Sequence, residues 1–210
     1  MIALPPEVNR ALLDVRRAYR LLHDYQRAAL DGVKYIGSQL GFTYNNGYPH
    51  FSDPTPKNGK DALNRWAWDW LNLVHFNFNF SKTTEGEGDI SLSIMLFSDT
   101  GFYIAADKDA DATDISSFAS VENSETKVGI LFYREWLKKW DTSFYEKESM
   151  RRFLEQDGES PEEIRLAGVF GKCFNFSQLS DEASADALVA EIIQFGTRNN
   201  FPLSRNRKGN

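Results

Sequence analysis

The chain has a single cysteine, Cys173, among its 210 residues, so no internal disulfide bond can form. A lone thiol is typical of proteins in a reducing compartment, and we therefore expect a cytoplasmic protein. Long apolar runs are also absent, because the longest uncharged stretch, Trp70 to Ser81, is interrupted by Asn and His and is too short to span a bilayer. The N-terminal segment carries charges where a signal peptide would be apolar. We expect neither a membrane span nor a signal peptide.

Several catalytic and cofactor-binding motifs are missing from the sequence. It contains no Gly-rich phosphate loop, no Cys-x-x-Cys pair, no His-Glu-x-x-His and no Gly-x-Ser-x-Gly. We therefore predict no cofactor and favour a non-enzymatic protein. A catalytic site assembled from distant residues stays open, because such a site leaves no local motif.

The strongest periodic signal is an amphipathic helix over about residues 6–40. Its apolar positions alternate spacings of four and three, as in a heptad repeat, with one polar member. The series runs Val8, Leu12, Val15, Tyr19, Leu22, Gln26, Ala29, Val33, Ile36 and Leu40. Pro5 and Pro6 favour a start at this point, and Gly41 favours the end. We expect this face to be buried along most of its length, with Gln26 as a hydrogen-bonded polar interruption.

The length of this helix raises a geometric problem. About 35 residues at a rise of about 1.5 Å make a rod of roughly 50 Å, whereas a compact domain of this size has a diameter of about 43 Å. A break at Gly32 or Gly37 would let both halves pack on the sheet, and we favour that solution. A continuous helix would instead need a cover, first of all the same helix of a second copy, in which case Leu22 and Gln26 belong to an interface. We predict a monomer or a weak homodimer.

Downstream, the pattern predicts an antiparallel sheet of about five strands. The predicted strands are 74–81, 90–97, 102–106, 128–133 and 164–176, the first three forming a meander. Residues 42–60 are predicted to be a loop, and helices are expected at 61–73, 135–155 and 180–197. The fold class is therefore α+β, mainly an antiparallel sheet with helices packed on one face. We expect one domain over residues 1–198 and a flexible basic tail at 199–210.

One face of the first predicted strand is polar. His75, Asn77 and Asn79 alternate with Phe residues, which is typical of a sheet with one solvated face. If a helix covers that face, these side chains must be hydrogen-bonded to one another or to water, and an open face could bind a polar ligand.

An acidic stretch begins with Asp107, Asp109 and Asp111, whose alternate carboxylates resemble the start of a calcium loop. The sixth position is Ala112 instead of the glycine that the sharp turn needs, and the twelfth is Phe118 instead of a bidentate Glu. We therefore predict a mobile, solvated loop over residues 107–126 that binds no metal.

Glu125 and Lys127 open a predicted strand as Glu-x-Lys. Many metal-dependent nucleases hold a magnesium ion with such a pair and a further carboxylate, for which Asp114 is a candidate. The same triplet is frequent by chance in chains rich in Glu and Lys. A nuclease or phosphodiesterase using Glu125, Lys127 and Asp114 is therefore the alternative from the enzyme class.

Charge is segregated along the chain. Residues 83–126 carry a net charge of −9, the first helix +2 and the segment from Thr197 onward +4, within an overall charge of −6. An acidic edge containing Asp107, Asp109, Asp111 and Asp114 can steer a basic partner protein, and the overall charge argues against broad nucleic-acid binding. We therefore expect a cytoplasmic protein that acts through protein–protein contact, of the immunity, inhibitor or regulatory type. Because 14% of the residues are aromatic, a small-ligand pocket is a further alternative.

Overall fold

The fold is given by a computed structural model, which describes residues 5–50, 74–84, 88–107, 112, 114–134, 145–155, 165 and 168–206. Within these residues lie four α-helices and five strands. The helices are α1 Pro6–Leu40, α2 Gly101–Ile104, α3 Lys147–Glu155 and α4 Glu182–Arg198. The strands are β1 Thr43–His50, β2 His75–Thr84, β3 Gly88–Phe97, β4 Lys127–Arg134 and β5 Val169–Asn175. The α+β class, the antiparallel sheet of five strands and the long N-terminal helix are confirmed.

The five strands form one sheet in the order β1-β2-β3-β4-β5, and each neighbouring pair is antiparallel. One expected strand is absent, and one strand forms where the sequence predicts a loop. Residues 102–106 do not form a strand, because α2 and the residues that follow it occupy this segment. The predicted loop after α1 contains β1 instead, which pairs along β2 with one bulge between Tyr44 and Asn46. The predicted helix at 61–73 lies outside the described residues.

The first face of the sheet packs against α1 and α4. Its core combines the Phe and Ile side chains of β2, β3 and β4 with Val33, Ile36 and Leu40 of α1 and Leu188 and Ile192 of α4. Strand alternation places these apolar residues on one side, so the sequence pattern and the packing agree.

The second face is covered as well. Met150, Phe153 and Leu154 of α3 pack with Met95 and other residues of this face. The expectation of helices on one face therefore holds for the two long helices, whereas the short helices α2 and α3 pack on the other side. Period-2 alternation shows that two faces differ, but it does not show which face a helix will cover.

The helix α1 is continuous from Pro6 to Leu40, so the expected break at Gly32 or Gly37 is wrong. Both glycines serve close packing instead, since a Cβ at Gly37 would lie 2.5 Å from Phe80 Cε1 and one at Gly32 would lie 2.9 Å from Leu179 Cδ1. The helix ends as expected at Gly41, which adopts the left-handed conformation with φ of 71°.

The segment after α4 packs on the domain as far as residue 206. Phe201 and Leu203 are buried, and the backbone N–H of Asn206 donates to Gln39 O in α1. Arg205 forms an ion pair with Asp186. Two apolar side chains thus anchor residues 199–206, for which the sequence predicts a flexible tail, and residues 207–210 lie outside the described part.

Candidate interaction surface

The N-terminal part of α1 extends beyond the sheet. Every residue from 5 to 28 is exposed except Tyr25, and the first buried side chain of the helix is Ala29. These 23 helical residues span about 35 Å at a rise of about 1.5 Å per residue. The expectation that the heptad face is buried along most of its length is therefore wrong for its first six positions.

The exposed heptad positions form an apolar stripe, defined here as Val8, Leu12, Val15, Tyr19 and Leu22. Their exposed fractions lie between 37% for Leu22 and 59% for Tyr19. Gln26 continues the stripe and is also exposed, so the predicted buried interruption is wrong. The stripe runs directly into Ala29, Val33, Ile36 and Leu40, which pack in the core. One helix face thus serves as core at one end and lies open at the other.

The remaining face of the overhang is mixed, with several charged side chains and two exposed leucines, Leu13 and Leu21. Arg10, Arg17 and Asp24 lie on the side opposite the stripe by helical spacing, and Arg17 forms an ion pair with Asp14 at 3.1 Å. Contiguous exposed apolar surface with a polar surround marks interaction sites in many proteins. The helix length compared with the domain diameter was the signal in the sequence for this overhang.

The acidic stretch is described only in part, because Asp109 and Asp111 lie outside the described residues. Asp107 is exposed, and its carbonyl oxygen accepts from Lys147 Nζ. Asp114 begins a 3₁₀ turn, where its carboxylate accepts from the backbone N–H and the hydroxyl of Ser116. The side chain of Asp114 is thus engaged locally.

The two charged residues of the Glu-x-Lys triplet, Glu125 and Lys127, form an ion pair with each other. Lys127 Nζ lies 2.9 Å from Glu125 Oε2 and also donates to the carbonyl oxygen of Leu154 at 2.9 Å. Within the part of the chain that the structure describes, no group of three His, Cys, Asp or Glu side chains is arranged to hold a metal ion. The described residues therefore contain no assembled metal centre that would support the nuclease alternative.

The polar side chains of β2 lie on the second face of the sheet and are buried, so the expectation of a solvated face is wrong. His75 Nε2 lies 2.9 Å from Asn77 Oδ1, and His75 Nδ1 lies 3.2 Å from the Tyr103 hydroxyl. Burial lowers the pKa of His75 to about 3, with a smaller effect from His50. Asn79 donates to Asn46. Each of these three side chains has a hydrogen-bond partner inside the fold, while the buried Asn77 Nδ2 makes no hydrogen bond within the described part of the chain.

Two further features bear on chemistry. Cys173 is buried on the second face, and burial raises the pKa of its thiol above the ordinary value, so the thiol stays protonated. A cavity of about 670 Å³ lies between α1 and the β1–β2 edge of the sheet. Its walls include Val33, Phe42, Phe78 and Phe80.

No described helix has an apolar stretch long enough to cross a bilayer. A protein of Pasteurella multocida (strain Pm70), named Uncharacterized protein PM0109, is 45% identical to this chain over 47 residues, which cover 22% of each chain. No solved structure matches the chain. The model of the family described as PM0109 matches residues 6–200, so this chain belongs to the PM0109 family.

Proposed function

We propose that this chain is a binding protein that acts through protein–protein contact, of the immunity, inhibitor or regulatory type, and that the apolar stripe of α1 is its contact surface. The observation that carries the proposal is the exposure of five large apolar side chains on a helix that leaves its own domain. Burying each such side chain contributes about 1.5–3 kcal/mol, so a partner gains substantial binding energy here. Leu22 and Gln26 belong to this surface.

The occupant is another α-helix with an apolar seam. Heptad spacing on one helix fits a facing helix, because residues three and four apart form ridges and holes along a single line. The exposed N-terminal part of such a helix also gains little stability from the helix propensity of its residues, since most helical stability in proteins comes from packing of the apolar face. A facing helix would supply that packing. A cytoplasmic location belongs to the same proposal, supported by the free thiol of Cys173.

A photo-crosslinking experiment in cells tests the proposal. Benzoylphenylalanine replaces Tyr19 in the stripe or, as the matched control, Leu13, which is 40% exposed on the opposite side of the same helix. We expect a discrete adduct from position 19 and none from position 13, and we expect Leu22→Asp to abolish it. No adduct at position 19, or equal adducts at both positions, would contradict the proposal.

The cavity beside α1 supports a second candidate function, the binding of a small apolar ligand. Its volume of about 670 Å³ lies within the range of small-molecule sites. Lys34 and Asn206 provide polar groups at its lining, which suits an apolar molecule with an acidic head. Anilinonaphthalene sulfonate is a suitable probe, used on the Leu12→Asp/Leu22→Asp chain so that the stripe does not bind it. Saturable binding that Ser38→Trp removes supports this candidate, and its absence contradicts it.

A further inference from the structure

We infer that the helix facing the apolar stripe is the same stripe of a second copy of this chain, in an antiparallel α1–α1′ pair. The inference rests on the proposed function, because it names the partner of that surface.

The direction follows from where the body of the domain lies. The face that is open over residues 8–22 packs on the chain's own sheet over residues 29–40. In a parallel pair the two bodies would therefore occupy the same space beside the C-terminal halves of the helices. In an antiparallel pair each body lies beyond the N-terminus of the partner helix, and the two overhangs meet without collision. Steric exclusion thus selects the antiparallel pair.

The register of the antiparallel pair follows from which residues of α1 are exposed. The helical residues from 6 to 28 are open, apart from half-buried Tyr25, and residue 17 is their midpoint. An antiparallel pair centred there aligns heptad positions with heptad positions. Its layers are Val8 with Gln26′, Leu12 with Leu22′ and Val15 with Tyr19′, each occurring twice about the two-fold axis. No apolar position of the stripe stays unpaired, and Gln26 lies at the end of the contact, where its amide reaches water.

The flanks of the stripe permit close approach on one side. Ala11 and Ala18 follow one another at heptad spacing, and in the antiparallel register Ala18 lies next to Ala18′ near the axis. Arg16 and Arg16′ face one another across the other flank. Both guanidinium groups belong to exposed residues, where water and salt screen their repulsion, so this pair weakens the contact only slightly.

The size of the contact matches a weak but specific dimer. Two helices paired over about 35 Å bury roughly 600 Å² on each copy, on the order of 1,200 Å² in total. That value lies at the lower edge of the range for specific interfaces. We therefore expect dissociation in the micromolar range.

Light scattering on the full chain is the first test, at concentrations from about 1 to 100 µM, chosen to bracket micromolar dissociation. We expect the mass to rise from 24.0 kDa towards twice that value. The double variant Leu12→Asp/Leu22→Asp should raise the dissociation constant by at least about 100-fold, because it places four carboxylates in the two Leu12–Leu22′ layers. Leu13→Asp, the same change on the opposite side of the helix, should leave the dimer intact. A cooperative thermal transition of the variant, at the melting temperature that the unchanged chain has when dilute enough to be monomeric, shows that the variant stays folded.

Disulfide crosslinking tests the direction and the register, since the natural Cys173 is buried. Ala18→Cys should form a dimer under mild oxidation, whereas Arg17→Cys on the outer side should not. Val8→Cys alone should not crosslink, because antiparallel pairing separates the two copies of residue 8 by about 27 Å. A mixture of the Val8→Cys and Gln26→Cys chains should crosslink. Efficient crosslinking of Val8→Cys with itself would indicate a parallel pair and overturn the inference.

The outcomes separate this inference from the proposed function. A full chain that stays monomeric at every concentration, or a dimer that survives Leu12→Asp/Leu22→Asp, overturns the α1–α1′ pair. If the photo-reactive group at position 19 still forms an adduct in that case, with a mass other than two copies of this chain, the proposed function stands with a different helical partner. An adduct from neither experiment overturns both.

Discussion

At the scale of single residues, Gly37 lies at the closest approach between α1 and the sheet. A methyl group there would lie within 2.5 to 3.1 Å of three atoms of the Phe80 ring, which is itself packed in the core. At Gly32 the equivalent group would meet Leu179 Cδ1, the end of a flexible side chain. The two glycines look alike in sequence but differ in what surrounds them.

We expect Gly37→Ala to lower the free energy of unfolding by about 1–3 kcal/mol, because the aromatic ring has to move within a packed core. Gly32→Ala is the matched control in the same helix. It should be neutral or stabilising by up to about 1 kcal/mol, because alanine favours helix and Leu179 can rotate away. Urea unfolding of the two variants measures the difference, and equal effects would show that ring packing at Gly37 is not the cause.

Protonation of His75 makes the stability of the folded chain depend on pH. Burial lowers the pKa of His75 to about 3, and His50 adds a smaller effect, whereas an unfolded chain has a histidine pKa of about 6.5. Between these values the unfolded chain binds one more proton than the folded chain, so stability falls as pH decreases through this window and is fully retained above it. The neighbouring Tyr103 and Tyr145 are uncharged in this window, since tyrosine has an ordinary pKa of about 10 and burial raises the pKa of both further.

We therefore expect His75→Gln to make the free energy of unfolding less dependent on pH between about 6.5 and 4. The glutamine amide retains a donor and an acceptor towards Asn77 and Tyr103. His23→Gln is the control, because that side chain is exposed on α1. Denaturant unfolding at several pH values measures both slopes, and an unchanged slope in His75→Gln would contradict the assignment.

At the scale of elements, β1 shows how pairing can outweigh local propensity. Its sequence, Thr-Tyr-Asn-Asn-Gly-Tyr-Pro-His, contains turn formers and predicts a loop. The free edge of β2 offers backbone groups along its whole length, and β1 satisfies them while taking the edge position where Pro49 and a bulge are tolerated. Tertiary hydrogen bonding decides the conformation of this segment.

The strands β2 and β3 carry the centre of the first face, where Phe78 pairs with Ile94. Phe78 is 7% exposed, and its ring lines the cavity beside α1. We expect Phe78→Ala to cost about 3–5 kcal/mol of unfolding free energy. Tyr44→Ala, at a 54% exposed position of the same sheet, should cost less than about 1 kcal/mol. A loss below that value for Phe78→Ala, measured by urea unfolding, would contradict its place in the core.

At the scale of the whole molecule, the chain divides into a packed body and a helical overhang. Within residues 6–24, Arg17 forms a local ion pair with Asp14, and His23 Nδ1 lies 3.2 Å from Asp24 Oδ1. Tyr25 ties α1 to the body, through its hydroxyl to Ser98 at 3.0 Å and its ring against Phe176. The exposed residues 6–24 form the overhang, and Tyr25 lies at its junction with the body.

A chain that begins at Asp24 should keep the unfolding free energy of the full chain within about 1 kcal/mol, since the removed residues are exposed. The full-length reference carries Leu12→Asp/Leu22→Asp, so that association does not contribute to its stability. Tyr25→Ala in the same reference should be the more damaging change, because it removes contacts with the body. Thermal unfolding compares the three chains, and a large loss on truncation would show that the overhang stabilises the body directly.

The sequence by itself determined the elements whose periodicity is long: α1 to within its end residues, the alternation of β2 and β3, and the α+β class. These depend on the spacing of apolar side chains along one element, which neighbouring segments do not alter. Only the tertiary structure decided that α1 is unbroken, that its residues 6–24 extend beyond the body and that the polar face of β2 is buried. The heptad spacing is the same around Val8, in the open part of the helix, as around Val33, in the packed part. Periodicity identifies an apolar face but not what covers it. The position of the sheet under one half of α1 makes that half core and leaves the other half open for a partner.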